Sequence, residues 1–323
     1  MTSRHKVLLF EPIHPKGLTI LEEKCNVVFP ESTDENELIR QVGDVEGIII
    51  RASGKVSRQL IESAPLLKVV GRHGIGLDNI DLAAARERGI SVVHTPTAVT
   101  QSVAEHFVGL AIMLAKKLKA ADNALREGIW EARHALTGSE LSGKTLSVLG
   151  FGRIGKQTAR ICRRCFDMSI LYHDIVNYPE AEEELGAKQV PLEQLFTEGD
   201  LISVNLPLTH QTRGLIDADL LRLMKPTAYL INMARGALWI EADIVRALKE
   251  QRIAGVGSDV FEKEPPSTDN PLFELENFIG TPHMASHTEE ALIRMSLVAR
   301  DIVRILEGQP PEFPVPDYLY DQA

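Results

Sequence analysis

Three charged or titratable side chains stand just past apolar runs that suit buried strands. Arg235 lies in Asn232-Met233-Ala234-Arg235-Gly236, and Glu264 closes Asp259-Val260-Phe261-Glu262-Lys263-Glu264. His283 follows Thr281-Pro282. An arginine can hold a 2-keto carboxylate bidentately and polarise the neighbouring carbonyl. A histidine can hand the carbonyl oxygen a proton as hydride arrives, and take it back in reverse. A partner carboxylate favours the imidazolium and fixes which ring nitrogen faces the substrate. Singly, Arg235 and Glu264 read as surface ion-pair members and His283 as a satisfied loop histidine. In a doubly wound fold, however, strand ends face one crevice, and convergence of all three there favours chemistry.

Hydride needs a carrier, and residues 145–174 supply its signature. Thr145–Gly150 is a short apolar run suited to a parallel strand, followed by Gly150-Phe151-Gly152-Arg153-Ile154-Gly155. Lys156–Cys165 has helical spacing, and a second apolar run, Ser169–His173, ends on Asp174. The first glycine permits the tight turn, and the second lets backbone N–H groups approach a pyrophosphate. The third lets the helix pack on the strand. Asp174 stands where a carboxylate can accept both hydroxyls of an adenine ribose, and it would repel a 2′-phosphate. The expected cofactor is therefore NAD rather than NADP.

Bulk properties narrow the class. At 323 residues the chain fits two domains, and 44% apolar with 25% charged residues is a globular composition. A net charge of −10 argues against a nucleic-acid or acidic-membrane partner. No apolar run reaches the roughly 20 residues that span a bilayer, and MTSRHKVLLFEP lacks signal-peptide architecture. Three cysteines, Cys25, Cys162 and Cys165, make a disulfide framework improbable, so a cytoplasmic protein is expected. Cys162 and Cys165 form a lone CxxC inside the expected helix and read as packing or surface, not metal ligands.

Strands and helices alternate from Lys6 onward, which implies parallel sheet with helices on both faces. Expected strands are Lys6–Phe10, Asn26–Phe29, Glu46–Arg51, Leu67–Arg72 and Ser91–His94, then Leu201–Leu206, Ala228–Met233, Ile253–Val260 and Phe278–Thr281. Gly74-Ile75-Gly76 also follows a strand, but Asn79 holds the third glycine position and no acid ends the next strand. The loop Arg72-His73-Gly74-Ile75-Gly76 therefore reads as an anion-binding turn whose backbone N–H groups could hold a substrate carboxylate. Thr100–Leu118 reads as one long helix continuing to about Leu125, a crossing between domains and part of a dimer interface. Thr288–Leu306 reads as one amphipathic helix, capped by Ser286 or Thr288, that crosses back onto the first domain. Residues 1–98 plus 288–323 would form a substrate domain, with 99–287 the dinucleotide domain and the ligand cleft between them.

The motifs IIIRASGKVS, VVGRHGIGLDNIDL, SVAEHFVGL, LGFGRIGK, NLPLTHQTRGLI, INMARGAL, GSDVFEKEP and TPHMASHTEEA occur in order along nearly the whole chain. In them the chain resembles the D-isomer-specific 2-hydroxyacid dehydrogenases, the family of D-3-phosphoglycerate dehydrogenase and the glyoxylate/hydroxypyruvate reductases. The resemblance implies an α/β fold of two lobes, a Rossmann-type NAD domain inserted in a flavodoxin-like substrate domain. It implies that Arg235 binds the substrate carboxylate and carbonyl, that His283 is the acid/base and that Glu264 is its partner. Cofactor contacts would come from Gly150, Gly152, Arg153, Ile154, Gly155, Asp174, Leu206, Pro207, Thr212, Met233, Ala234, Arg235, Asp259, His283 and Ala285, with Asp259 meeting the nicotinamide carboxamide. Arg51, Arg72, His73 and Gly74 would line the substrate side with Arg235 and His283, and the enzyme would be a homodimer.

Some positions depart from the family pattern. Asn205 stands where a histidine is common, Ile240 where an acid is frequent, and His73 and His287 replace small residues. No C-terminal regulatory domain is expected. The resulting expectation is an NAD-dependent oxidoreductase moving hydride between nicotinamide and C2 of a small D-2-hydroxy or 2-keto acid. A formate- or phosphite-type dehydrogenase is disfavoured by Glu264, since formate enzymes generally carry glutamine there. An NAD-sensing corepressor would keep the same triad, and only the lack of an added recognition segment speaks against it.

Overall fold

The structure, a computed structural model, describes residues 4–320, so the outermost positions expected in the first domain (1–3 and 321–323) lie outside the described residues. The chain forms two compact units, Met1–Val99 with His287–Ala323, and Thr100–Ser286.

Unit 1 opens with β1 (His5–Leu9), α1 (Pro15–Lys24), β2 (Cys25–Val28), α2 (Glu35–Gln41) and β3 (Gly47–Ile50). It continues with α3 (Arg58–Glu62), β4 (Val69–Arg72), α4 (Leu82–Glu87) and β5 (Ser91–Val93). All pairings are parallel, in the order β2-β1-β3-β4-β5. Strand side chains alternate between faces, and both faces here are apolar. Leu8, Ile48, Ile50 and Val70 pack under α2, α3 and α4. Val7, Leu9, Ile49 and Val69 pack on the opposite side with Leu21 of α1. Side chains start all four of these helices: His14, Asp34, Ser57 and Asp81 each accept a backbone N–H of the first turn.

Unit 2 begins with α5 (Thr100–Ala115) and α6 (Leu118–Arg126), then a 3-10 turn at Trp130–His134. The one long helix expected here is in fact two. Lys117 adopts φ 54°, and the Ser139 N–H donates to the Ala115 carbonyl (2.8 Å), taking an acceptor the helix would need to continue. The buried side of α5 packs on its own unit's sheet, with Leu110 against Gly257 and Leu114 against Gly255. The sheet is built by β6 (Thr145–Leu149), α7 (Arg153–Phe166), β7 (Ser169–His173), α8 (Pro179–Leu185), β8 (Lys188–Gln189), α9 (Leu192–Glu198) and β9 (Leu201–Val204). It is completed by α10 (Ala218–Leu223), β10 (Tyr229–Asn232), α11 (Glu241–Lys249), β11 (Gly255–Ser258) and β12 (Phe278–Gly280). Its seven strands are all parallel, in the order β12-β11-β10-β9-β6-β7-β8. The elements α8, β8 and α9 are additions to the sequence reading. The order reverses between β6 and β9, the switch point where ligands bind in such sheets.

The returning segment of unit 1 is α12 (Glu289–Ser296), α13 (Val298–Leu306) and a short α14 (Asp317–Tyr320). Thr288 caps α12, its Oγ1 accepting from the Ala291 N–H (3.3 Å). The single helix expected over Thr288–Leu306 is broken at Leu297. There the Ser296 hydroxyl donates back to the Ile293 carbonyl (2.7 Å), a bond that competes with the helical ladder. Gly17 of α1 packs on this break, and α13 covers β3 and β4 through Ile302 and Val298. Beyond it, residues 313–315 run beside β5: Val93 bridges Pro314 in antiparallel sense, and the Val315 N–H donates to the Val92 carbonyl (2.9 Å).

A Cβ on Gly17 would stand 2.4 Å from the Ser296 carbonyl oxygen, whereas one on Gly43 would meet nothing within 4 Å. Gly17→Ala is expected to cost about 1–3 kcal/mol by overpacking the α1–α12 contact. Gly43→Ala should stay within about 1 kcal/mol of the parent. Urea unfolding of both variants checks the pair.

Candidate active site

The switch point of unit 2 is held open for a ligand backbone by glycine. Gly150 has φ 88°, and a Cβ there would lie 2.8 Å from the Asn205 carbonyl carbon at the end of β9. A Cβ on Gly155 would lie 2.3 Å from the Gly150 oxygen, so only glycine lets α7 sit this close to β6. Gly152 opens α7 without a side-chain cap, and its α-carbon faces open space. The first-turn N–H groups of a 14-residue helix are thereby left for an anion, with Arg153 and Ile154 in that turn. Asp174 closes the site: its carboxylate accepts the Phe151 N–H (2.6 Å) and the Val176 N–H (3.0 Å). Each oxygen retains a second lone pair that a ribose hydroxyl can use. These residues fit a dinucleotide.

Along the same strand ends lie the chemical groups. The Asn232 side chain donates to the Arg235 carbonyl (2.8 Å) and accepts the Ala234 N–H (3.0 Å), shaping the turn after β10. Gly236 presses onto the backbone of Phe261 and Glu262, where a Cβ would overlap the chain at 1.9 Å. That approach sets the Arg235 turn against the loop bearing Glu264. The Glu264 Oε1 accepts the Phe261 N–H (3.0 Å), and Oε2 meets His283 Nδ1 at 2.7 Å. Partial burial alone would raise the Glu264 carboxyl. The bonds from His283 and the Phe261 N–H, with the nearby charges of His283 and Arg235, outweigh it and hold the group below its ordinary 4.5. His283 is itself in the left-handed region, at φ 49°.

Asp259 is 1% exposed and accepts three bonds from the turn after β12. Oδ1 takes the Thr281 hydroxyl (2.5 Å) and the Met284 N–H (2.9 Å), and Oδ2 takes the Ala285 N–H (2.8 Å). The Thr212 hydroxyl donates to the Pro207 carbonyl (2.7 Å), closing the loop after β9 that includes Leu206. Met233 is buried beside the Arg235 turn. Sequence reasoning missed His106, whose Nε2 lies 2.9 Å from the Thr281 hydroxyl. One signal was present: a titratable side chain directly ahead of the uncharged, largely apolar stretch Phe107–Leu114.

The substrate-side residues read from the sequence lie in unit 1. The Arg72 guanidinium donates to the carbonyls of Ile50, Arg51, His73 and Gly76, tying the loop together. The His73 N–H goes to the Ile50 carbonyl (3.0 Å) and the Gly74 N–H to Thr95 Oγ1 (3.1 Å). Arg51 donates to the Pro12 carbonyl (2.9 Å). Burial pushes the His73 imidazole down to about 3, aided by Arg51, Arg72 and His287, so it is neutral at physiological pH. Its Nε2 has no hydrogen-bond partner among the described residues. Of the CxxC pair, Cys162 is buried with its thiol pushed up to about 12, and Cys165 is exposed; both are free.

A glycine turn at the switch point and an imidazole–carboxylate pair past the ends of β11 and β12 are the parts of a dinucleotide-dependent oxidoreductase. Residues 108–285 match the family described as D-isomer specific 2-hydroxyacid dehydrogenase, NAD binding domain. A glyoxylate reductase of Thermofilum pendens is 40% identical over 318 residues, covering 96% of this chain and 94% of its own. A D-3-phosphoglycerate dehydrogenase of Archaeoglobus fulgidus is 39% identical over 94% of this chain, which spans only 58% of that enzyme's length. The crystal structure of a glyoxylate reductase from Paecilomyes thermophila superposes with a TM-score of 0.89 at 33% identity, covering 98% of this chain and 100% of that one. The chain belongs to the D-isomer-specific 2-hydroxyacid dehydrogenase family. No helix among the described residues is long and apolar enough to cross a membrane.

Because the folded Glu264 carboxyl is depressed, it adds stability above the ordinary carboxyl range and loses it as pH falls through the lower folded value. Glu264→Gln should therefore cost most stability near neutrality, and the penalty should shrink as pH drops from about 6 to about 3. Urea unfolding across that window reads it, and a constant penalty would contradict the pairing.

Proposed function

We propose that the chain is an NAD-dependent dehydrogenase that interconverts a small D-2-hydroxy acid and its 2-keto acid. The observation that carries the reading is the 2.7 Å pair of His283 Nδ1 and Glu264 Oε2. With a carboxylate on Nδ1, that nitrogen carries the proton and Nε2 is the atom that exchanges one with the substrate oxygen. Glu264 supports the protonated ring that forms in the oxidative direction. Arg235 holds the substrate carboxylate and polarises the carbonyl. Bound NAD would supply the nicotinamide carbon that accepts or gives hydride. Gly150, Gly152, Arg153, Ile154, Gly155 and Asp174 would hold its adenosine and pyrophosphate. Leu206, Pro207, Thr212, Met233, Ala234, Asp259 and Ala285 would hold the rest.

Arg51, His73 and Gly74 are proposed as substrate-side residues. Arg72 belongs with them as the brace of their loop, since its Nε and Nη1 donate to four backbone carbonyls. A neutral His73 favours a small unphosphorylated acid of the glyoxylate or hydroxypyruvate type over phosphoglycerate. A homodimer is proposed on the exposed apolar side chains of Leu118, Leu125, Ile129 and Trp130, on and just after α6. Three free thiols fit a cytoplasmic setting.

Oxidation of NADH with glyoxylate, hydroxypyruvate, pyruvate and phosphohydroxypyruvate tests the reading, and no turnover with any of them would end it. Arg235→Ala should lower kcat/KM about 100-fold or more, with the melting temperature nearly unmoved. His283→Ala should lower kcat by about 100- to 10,000-fold, while fluorescence titration still finds near-parental NADH affinity.

A further inference from the structure

We infer that His106 is a positioning residue for this reaction: through the Thr281 hydroxyl and the Asp259 carboxylate, it fixes the turn that aims His283. The inference rests on the reading of His283 as the group that exchanges the proton.

The turn is difficult to hold. Pro282 contributes no donor, and a non-glycine residue at φ 49° costs on the order of 1–2 kcal/mol, so His283 stays there only if its surroundings over-determine it. They do. The His283 N–H donates to the carbonyls of Asp259 (2.8 Å) and Thr281 (3.0 Å). The Asp259 side chain grips Thr281 on one side of His283, and Met284 and Ala285 on the other. One buried carboxylate thus clamps the histidine turn from both flanks.

His106 completes the clamp. A threonine hydroxyl has one proton, and here it points to Asp259 at 2.5 Å, a short charge-assisted bond. The same oxygen can then only accept from His106 Nε2 at 2.9 Å, so that nitrogen must carry a proton. His106 Nε2 also lies 3.9 Å from Asp259 Oδ1, placing a donor beside a carboxylate that is almost wholly out of water. The donor comes from α5, which packs against β10, β11 and β12, so the clamp is referred to the rigid core of its unit. Removing the donor leaves the Thr281 oxygen unpaired and frees the hydroxyl to turn away from Asp259.

The test uses the full chain with His106→Leu, His106→Gln, Thr281→Val and the His106→Leu/Thr281→Val double variant, assayed with NADH and glyoxylate. His106→Leu should lower kcat about tenfold or more by misplacing the imidazole. Its solvent deuterium isotope effect on kcat should rise, as proton transfer becomes more limiting. His106→Gln, whose amide donates from a similar reach, should return kcat to within about threefold of wild type. The double variant should lose little more than Thr281→Val alone, because both act through one chain of bonds. Without any turnover, hydrogen exchange at the Met284 and Ala285 amides should quicken in His106→Leu and stay at the wild-type rate in His106→Gln. A His106→Leu enzyme with wild-type kcat and exchange overturns the inference. So does a loss with an unchanged isotope effect, or a double variant whose losses multiply. If wild type reduces no 2-keto acid, the proposed function fails, while amide exchange still decides whether His106 holds the turn.

Discussion

The constraint on which unit 2 depends is how closely its chain must pass itself where the strand order reverses. At the ends of β6 and β9 the backbones of Gly150 and Asn205 approach until no side chain fits between them, and α7 descends onto Gly150 through Gly155. Excluding side chains there leaves unspent N–H groups at the start of α7, in a place where Asp174 can reach the same ligand. The same device recurs at Gly236, which lets the Arg235 turn lie on the Phe261–Glu262 backbone. Close backbone approach positions the cofactor cradle and sets the arginine turn beside the loop that bears Glu264.

Electrostatics then fixes what packing brings near. Glu264 and Asp259 are both carboxylates beside His283, yet their tasks differ because their surroundings differ. Glu264 is partly open to solvent and meets the imidazole directly, so its charge bears on the ring's proton. Asp259 is almost wholly buried and accepts three bonds from the turn itself, so most of its accepting capacity goes to geometry. In unit 1, Arg72 shows a parallel economy: a full positive charge used to gather the carbonyl oxygens of its own loop.

What could be read in the amino-acid string was what short-range physics dictates. The glycine turn, the acid at Asp174 and the strands flanking them depend on neighbours within thirty positions or so. Breaks in helices did not show, because their causes are remote. Lys116 and Lys117 are good helix formers, and α5 stops there because Gly138 and Ser139 come to its end. Ser296 interrupts the returning helix where Gly17 presses on it. The bracing role of Arg72 was not visible, since composition cannot tell that a guanidinium gathers the carbonyls of its own loop. His106 was passed over because its role exists only once β12 lies beside α5.

The segment at residues 313–315 has a consequence for solution behaviour. An outer strand such as β5 offers a row of unmatched amide and carbonyl groups that another chain could zip onto. Here that rim is occupied from within, by a stretch whose Pro314 and Pro316 cannot donate to a further neighbour. The sheet is therefore terminated rather than left sticky, and a rim sealed by prolines resists fibre-like stacking without spending a single charged side chain on repulsion.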